Sequence, residues 1–153
     1  MGKRFFTDDG KVHVEKIRIL EKFNPERNEW AEVNDRYPLM AIDFRLNELW
    51  NTGYTYWDKP TVYERVPDAF LMIHPEDAGM RGIKDGDRVK LRSPYGETGP
   101  VVARVTTDIR PGIVGMPALF PKAEQEFNYI TRPDPSPING DFVTMVAAEV
   151  FKA

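Results

Sequence analysis

The stretch NYITRPDPSPIN, residues 128–139, places short hydrogen-bonding side chains among three prolines. Because Pro, Asn, Asp and Ser each favour turns, one interpretation is an ordinary surface loop. A rigid loop that presents amide and hydroxyl groups is equally suited to hold a polar ligand. The choice between these interpretations depends on what the rest of the chain supplies.

A second segment, residues 50–63, combines aromatic residues with small polar ones. Its aromatic cluster fits core packing, a partner interface or a wall for a flat ring, and composition alone favours packing or an interface. The adjacent Asn51, Thr52 and Gly53 favour a ligand somewhat more, because amide and hydroxyl groups beside a Gly backbone suit phosphate and sugar oxygens. The aromatic cluster consists of Trp50, Tyr54, Tyr56, Trp57 and Tyr63.

The sequence lacks the usual catalytic and metal-binding patterns. It contains no cysteine and only two histidines, His13 and His74, which are too far apart for a recognisable zinc spacing. Glu76 and Asp77 are adjacent at a predicted helix start, where they complement the helix dipole more simply than they form an acid–base pair. No GxGxxG or Walker sequence occurs, so irregular loops would have to hold any nucleotide. We therefore predict no catalytic residue and no protein metal ligand.

Composition and charge indicate one folded domain. The chain has 153 residues, of which 41% are hydrophobic and 29% charged, as is typical of globular proteins. A formal net charge of −3 without a long basic run argues against nucleic-acid binding. The first ten residues contain too short an apolar stretch for a signal peptide, and no run of about 18 apolar residues follows. We expect a cytoplasmic protein that does not insert into a membrane.

Short apolar runs separated by turn signals predict a mainly β protein. Residues 75–82 begin with Pro and two acids and end with Gly, which predicts one short helix. Several strands with so little helix favour an all-β barrel over a doubly wound sheet. We assign residues 1–36 to an N-terminal strand and linker and residues 37–153 to the barrel. Strands are predicted within residues 10–20, 37–44, 69–74, 83–92, 101–107, 113–120 and 142–151.

These segments follow one another in an order that resembles a known family. They are similar to the C-terminal molybdopterin-dinucleotide-binding domain of the dimethyl sulfoxide reductase family, which includes formate dehydrogenases. The resemblance covers roughly residues 37–152, and the combination of PEDA, GIKDGD and RSPYGE is its most specific part. The matching motifs are DFRLNELWNTG (43–53), DAFLMIHPEDA (68–78), GIKDGDRV (82–89), RSPYGE (92–97), RPGIVGMP (110–117), NYIT (128–131) and DPSP (134–137).

The resemblance implies a six-stranded double-psi β-barrel with one or two short helices. Its loops would bind a bis(molybdopterin guanine dinucleotide) cofactor with molybdenum or tungsten. Arg45 corresponds to the basic residue that closes the first family strand, and Phe142 to an aromatic residue that approaches the cofactor. Asn128 and Thr131 fall on the family's Asn-x-Leu-Thr pattern, with Ile130 in place of Leu. The cofactor loop after the first strand corresponds to Trp50, Asn51, Thr52 and Gly53.

The sequence departs from the family pattern at two places. The first strand ends in Asp-Phe-Arg where many members have Thr-Gly-Arg. Leu49 and Asn51 stand in a loop that is usually rich in His. The detailed phosphate contacts of this loop are therefore not carried over from the family.

The resemblance also implies a larger oxidoreductase of the formate dehydrogenase type. In this family the cofactor's dithiolenes and a residue of another domain hold the metal, which agrees with the absence of cysteine here. We expect a larger catalytic subunit, or further domains, with the metal-ligating residue and iron–sulfur clusters. The chain could be a separate subunit, as in formylmethanofuran dehydrogenases. It would bind and orient one end of the cofactor and would not be catalytic alone.

Two other functions are compatible with the residues. A barrel that has lost its ligand could use the aromatic cluster to dock on a partner protein, although docking would not require NYIT together with the NTG loop. A free-standing β-barrel enzyme is the third hypothesis, because a fold does not determine a function. The chain lacks a nucleophile or base in a defined constellation, which ranks this hypothesis last.

Overall fold

Six β-strands form a closed barrel in the part of the chain that the computed structural model describes, residues 7–12, 33–49, 56, 58–131 and 145–153. Two short helices accompany the strands within these residues. The strands are β1 (Leu39–Phe44), β2 (Phe70–Ile73), β3 (Arg88–Arg92), β4 (Val101–Val105), β5 (Ile113–Pro117) and β6 (Met145–Lys152), and the helices are α1 (Pro60–Arg65) and α2 (Pro75–Met80).

The strand order decides which loops meet. Around the barrel the order is β1-β5-β2-β4-β3-β6, and β6 pairs with β1 to close it. The β1/β5 and β2/β4 pairs are parallel and the other pairs are antiparallel. The carboxyl ends of β1, β3 and β5 therefore lie at the same end of the barrel, which we call the β1 end. The carboxyl ends of β2 and β4 lie at the opposite end.

Alternate side chains of the strands fill the barrel interior. Successive side chains of a strand point to opposite faces, so every second residue enters the core. In β1, Leu39 and Ala41 are buried, whereas Met40 and Ile42 on the outer face are half-buried. The same alternation in β3 buries Val89 and Leu91 completely. Further fully buried interior residues are Leu71, Ile73, Val101, Val114, Met116, Val146 and Ala148.

Asp77 stabilises the opposite end of the barrel through hydrogen bonds. Its carboxylate is 3% exposed, and its Oδ2 accepts a hydrogen bond from the N–H of Gly112 at 2.7 Å. Gly112 has a φ of 82°, a conformation that favours glycine, and its carbonyl accepts from the N–H of Met40 in β1 at 2.9 Å. Arg81 donates to the Asp77 carbonyl at 2.9 Å. Asp77 thus does more than complement a helix dipole, since it links α2 to the turn before β5.

The predicted fold is confirmed, with a closed six-stranded barrel and two short helices. Six predicted strands contain or overlap the observed ones, and the predicted helix is α2. The sequence analysis did not assign α1, because its six residues contain no buried side chain and hence no apolar pattern. The strand predicted within 10–20 lies mostly outside the described residues. No helix in the described ranges is long and apolar enough to cross a lipid bilayer.

Replacement of Leu91 tests the barrel interior. Leu91 is completely buried, so Leu91→Ala would leave a cavity. We expect the free energy of unfolding, measured by chemical denaturation, to fall by about 2–5 kcal/mol. Met80→Ala is the control, because Met80 is 75% exposed and its truncation should change stability little. A Leu91→Ala variant as stable as the wild type would place Leu91 outside the core.

Candidate functional site

The predicted site residues that the structure describes lie at the β1 end. Arg45 follows β1 directly and is exposed. Asn128 is exposed in the 3-10 turn Phe127–Ile130, and Thr131, which is 6% exposed, ends that turn. The structure therefore brings Arg45 and the NYIT segment to one end of the barrel. The other predicted site residues, Trp50, Asn51, Thr52, Gly53 and Phe142, lie outside the described residues.

The turn after β5 connects the end of β1 with the NYIT segment. Ala118 donates its N–H to the carbonyl of Phe44, the last residue of β1, at 2.9 Å. Leu119 then adopts a φ of 54°, which is uncommon for a residue with a side chain. This conformation aims the Leu119 N–H at Oε1 of Glu126, 3.0 Å away. The Glu126 carboxylate thereby ties the turn after β5 to the segment that precedes Asn128.

Glu126 joins three elements of the site. Its Oε1 accepts the N–H of Leu119 and also that of Asn128, the latter at 3.4 Å. Burial raises the pKa of Glu126, while these N–H groups and the positive charge of Arg45 oppose the shift. Burial likewise raises the pKa of Asp43 in β1, again opposed by Arg45. The guanidinium of Arg45 is thus close enough to two carboxyl groups to influence both.

Asn128 and Thr131 differ in what they offer a ligand. The carbonyl of Asn128 accepts the hydroxyl of Thr131 at 3.1 Å, so the hydroxyl proton is used within the turn. The Asn128 carboxamide is exposed and makes no hydrogen bond with the described part of the chain. Asn128 can therefore donate to and accept from a ligand. A ligand contact of Thr131 stays a prediction, and only its hydroxyl oxygen remains as an acceptor.

The RSPYGE turn supports the NYIT segment from behind. The buried Ser93 donates its hydroxyl to the carbonyl of Ile130 at 2.6 Å and accepts the N–H of Tyr95 at 3.0 Å. A side chain on Gly96 would collide with the carbonyl oxygen of Tyr129. The two family motifs are therefore packed together. The sequence analysis did not identify this contact, for which the glycine after Ser-Pro-Tyr was the available signal.

A polar cluster around Asp68 fixes the 3-10 turn Ala123–Gln125, which leads into the NYIT segment. Oδ1 of Asp68 accepts from Lys122 at 2.7 Å and from Gln125 at 3.1 Å. Gln125 is 2% exposed, and its carboxamide oxygen accepts the N–H of Ala69 at 2.9 Å. Burial raises the pKa of Asp68, but the hydrogen bonds from Lys122 and Gln125 outweigh it and leave that pKa lowered. No local sequence pattern marks this cluster, so it was not among the predicted site residues.

Tyr56, a member of the aromatic cluster, belongs to the core. It is 1% exposed, and its ring centroid lies 5.6 Å from that of Phe120 and 6.0 Å from that of Tyr63. Its hydroxyl donates to the carbonyl of Val66 at 3.0 Å. For Tyr56 the packing interpretation is therefore correct. Tyr63 is 44% exposed, and Trp50, Tyr54 and Trp57 lie outside the described residues.

Neither histidine-based nor acid-based metal binding is evident in the described ranges. Groups of three or more His, Asp or Glu side chains suited to a metal ion do not occur there. His74 instead caps α2, since its Nδ1 accepts the N–H of Glu76 at 3.3 Å. The described part of the β1 end supplies hydrogen-bond donors, which include the guanidinium of Arg45 and the exposed carboxamide of Asn128.

Comparisons with known proteins agree with this arrangement. Residues 39–144 match the family described as "Molydopterin dinucleotide binding domain". The F420-dependent formate dehydrogenase subunit alpha of Methanocaldococcus jannaschii is 33% identical over 121 residues, which are 78% of this chain and 17% of that protein. The periplasmic nitrate reductase of Desulfovibrio desulfuricans is 30% identical over 136 residues, which are 89% of this chain and 18% of that protein.

The fold is also similar to that of a solved enzyme. Acetylene hydratase from Pelobacter acetylenicus superimposes with a TM-score of 0.66 at 16% identity. The match covers 76% of this chain and 18% of that structure. This chain therefore spans less than a fifth of the length of each of these three proteins.

Two glycine replacements test the packing of the RSPYGE turn on the NYIT segment. Gly96→Ala places a methyl group against the Tyr129 carbonyl, and we expect it to lower the free energy of unfolding by about 1–3 kcal/mol. Gly79→Ala in α2 meets no atom within 4 Å and should be neutral or stabilising by about 0.4–1 kcal/mol. Urea unfolding of both variants is the measurement. Equal stability of Gly96→Ala and wild type would contradict the close contact.

The pH dependence of stability tests the ion pairs of Asp68. Its pKa is lowered in the folded chain from the ordinary 3.8, so its ion pairs stabilise the fold above that pH. This contribution is lost as the pH falls through the lowered pKa. Asp68→Asn should therefore reduce the melting temperature at neutral pH, and the difference from wild type should shrink in acid. The exposed Asp108→Asn is the control. A difference that does not change with pH would argue against the ion pairs.

Proposed function

The chain belongs to the molybdopterin dinucleotide-binding domain family, and we propose that it binds and orients one end of a bis(molybdopterin guanine dinucleotide) cofactor in a larger oxidoreductase of the formate dehydrogenase type. The observation that supports this most is the placement of Arg45 and Asn128 around Glu126 at the β1 end, where the Glu126 carboxylate accepts the Asn128 N–H and burial raises the Glu126 pKa against the positive charge of Arg45. These two side chains come from segments far apart in sequence, and both carry the hydrogen-bond donors that a nucleotide requires.

The residues present fit the phosphate-bearing end of such a cofactor. Arg45 offers a planar guanidinium, whose several N–H groups match the oxygens of a pyrophosphate. Asn128 offers an exposed carboxamide, which can pair with the edge of a heterocycle or with a phosphate oxygen. Asn51, Thr52 and Gly53 complete the proposed donor set on the basis of the sequence alone. The fit is strongest for an anionic ligand with planar rings.

The proposed role of this chain is to hold the cofactor. When bound, the cofactor supplies the redox chemistry through its metal, molybdenum or tungsten. The chain contains no cysteine, so a thiolate ligand to that metal would have to come from elsewhere. The chain spans 17–18% of two curated relatives, which favours a larger catalytic subunit or further domains as the source of the metal ligand and of iron–sulfur clusters. We place this complex in the cytoplasm.

We further propose that the barrel of residues 37–153 contains the whole cofactor-binding part of this chain. The described strands run from Leu39 to Lys152, and the family match begins at residue 39. Residues 1–36 would then serve as a strand and linker toward the rest of the enzyme. Removal of residues 1–36 should accordingly leave the barrel able to fold.

A protein-docking module is the alternative function. Tyr95 is 39% exposed and Tyr129 is 54% exposed, and they lie on the two turns that pack together at the β1 end. Exposed tyrosines are common where protein surfaces meet. A barrel without ligand could use this surface to bind a partner.

Purification of the tagged full chain with its partners from its host distinguishes these functions. The cofactor proposal predicts a larger partner together with molybdenum or tungsten, and guanine nucleotide released by acid hydrolysis. A partner without metal and pterin would support the docking module. Recovery of the chain alone would contradict both functions. Cytosine nucleotide in place of guanine would correct the identity of the dinucleotide.

Replacement of Asn128 tests the site itself. Asn128→Ala should lower the cofactor content of the purified complex, because a hydrogen bond to a charged group contributes about 1.5–3 kcal/mol. The fold should remain intact, since the carboxamide is exposed. Guanine nucleotide released per chain is the measurement, and Glu124→Gln on the preceding turn is the control. Unchanged cofactor content in Asn128→Ala would count against the assignment of this residue.

A further inference from the structure

We propose that Glu126 is a positioning residue of the cofactor site, which acts by orienting the turn that presents Asn128. This inference rests on the proposed function, because Asn128 matters here only as a ligand contact. Neither the motifs in the sequence nor the family resemblance singled out Glu126. Its assignment comes from two hydrogen bonds that meet at one half-buried carboxylate, beside the positive charge of Arg45.

The hydrogen bonds of Glu126 control the path of the chain on both sides of the site. One oxygen, Oε1, accepts the N–H of Leu119 at 3.0 Å and the N–H of Asn128 at 3.4 Å. The first bond satisfies the N–H of Leu119, a residue in the left-handed conformation. The second caps the 3-10 turn Phe127–Ile130. Loss of the acceptor would release both turns together.

The NYIT turn is otherwise anchored at its far end. Ser93 holds the carbonyl of Ile130 at 2.6 Å, and Thr131 holds the carbonyl of Asn128 at 3.1 Å. The N–H of Asn128 depends on Glu126. Without that acceptor, the peptide group between Phe127 and Asn128 could rotate while the carbonyls of Asn128 and Ile130 stayed in place. The direction of the Asn128 carboxamide is therefore the property that Glu126 controls.

The charges around Glu126 decide which substitution is informative. Burial raises the pKa of both Glu126 and Asp43, and the positive charge of Arg45, at the end of β1, opposes both shifts. A negative charge at Glu126 competes with an anionic ligand for Arg45. Glu126→Gln keeps an acceptor oxygen and removes this competition, so it should preserve or increase affinity for an anion. Glu126→Met keeps similar size and loses the acceptor.

The test measures how tightly these two variants bind guanosine diphosphate. This probe contains a guanine nucleoside and a pyrophosphate, as the proposed cofactor does. Calorimetric titration of the full chain should show Glu126→Gln binding at least as tightly as wild type. Glu126→Met should bind about tenfold more weakly or worse. Glu124→Met on the preceding turn is the matched control and should bind as wild type does.

Each outcome of this titration has a defined meaning. Weak binding by Glu126→Met with rescue by Glu126→Gln supports a hydrogen-bonding role, since a packing role would survive in the Met variant. Wild-type affinity in Glu126→Met would overturn the inference and leave the proposed function intact. Binding of the probe by Glu126→Gln as weak as that by Glu126→Met would also overturn the inference. No binding by the wild-type chain would overturn the binding role of this chain and the inference together.

An NMR titration tests the same hydrogen bonds without the Glu126→Met variant. Amide protons bonded to a carboxylate change their NMR chemical shift when that carboxylate titrates. In the wild-type chain, the amides of Leu119 and Asn128 should shift along one common titration curve as the pH falls. In Glu126→Gln both shifts should disappear. Amides that do not follow a common curve would overturn the assignment even if Glu126→Met failed to fold.

Discussion

The parallel pairing of β1 with β5 in the closed barrel is the constraint on which the site depends. The pairing places Phe44 beside Pro117, so both strands finish at the same height. Arg45 and the turn after β5 therefore leave the barrel next to one another. A parallel pair needs a long connection between its strands, and α1, β2, α2, β3 and β4 all lie within that connection. The barrel is thus assembled around the strand pair that positions the site.

The family motifs have different roles at the two ends of the barrel. At the opposite end, the buried carboxylate of Asp77 accepts a hydrogen bond from Gly112, which has a backbone conformation that favours glycine. This bond links α2 to the turn before β5. Asp77 of the PEDA motif and Gly112 of the RPGIVGMP motif thus have structural roles. At the β1 end the RSPYGE and NYIT motifs pack against each other and leave Asn128 exposed. Recognition of a family by its motifs therefore does not by itself separate scaffold residues from ligand contacts.

Irregular backbone at the β1 end is held in place by side chains. A segment outside sheets and helices must find partners for its own N–H and carbonyl groups. Ser93 and Gln125 are buried and fill this role, and Glu126 does so from a half-buried position. Within the described residues, no buried side-chain nitrogen or oxygen lacks a hydrogen-bond partner. A site built in this way can keep its ligand-facing groups oriented without lying on a strand.

The sequence by itself determined most of the strands and helices of this protein, although not α1. Alternating apolar residues and turn signals located six strands and α2, because these patterns repeat over two to four residues and reflect local geometry. Only the tertiary structure decided that Glu126 meets Leu119 and lies near Arg45, and that Ser93 meets Ile130. Arg45 and Glu126, like Ser93 and Ile130, are distant in sequence, and the contact of Leu119 with Glu126 spans seven residues of irregular backbone, so no local pattern encodes the contacts of these residues. Their proximity follows from barrel closure, which brings the carboxyl ends of β1, β3 and β5 together.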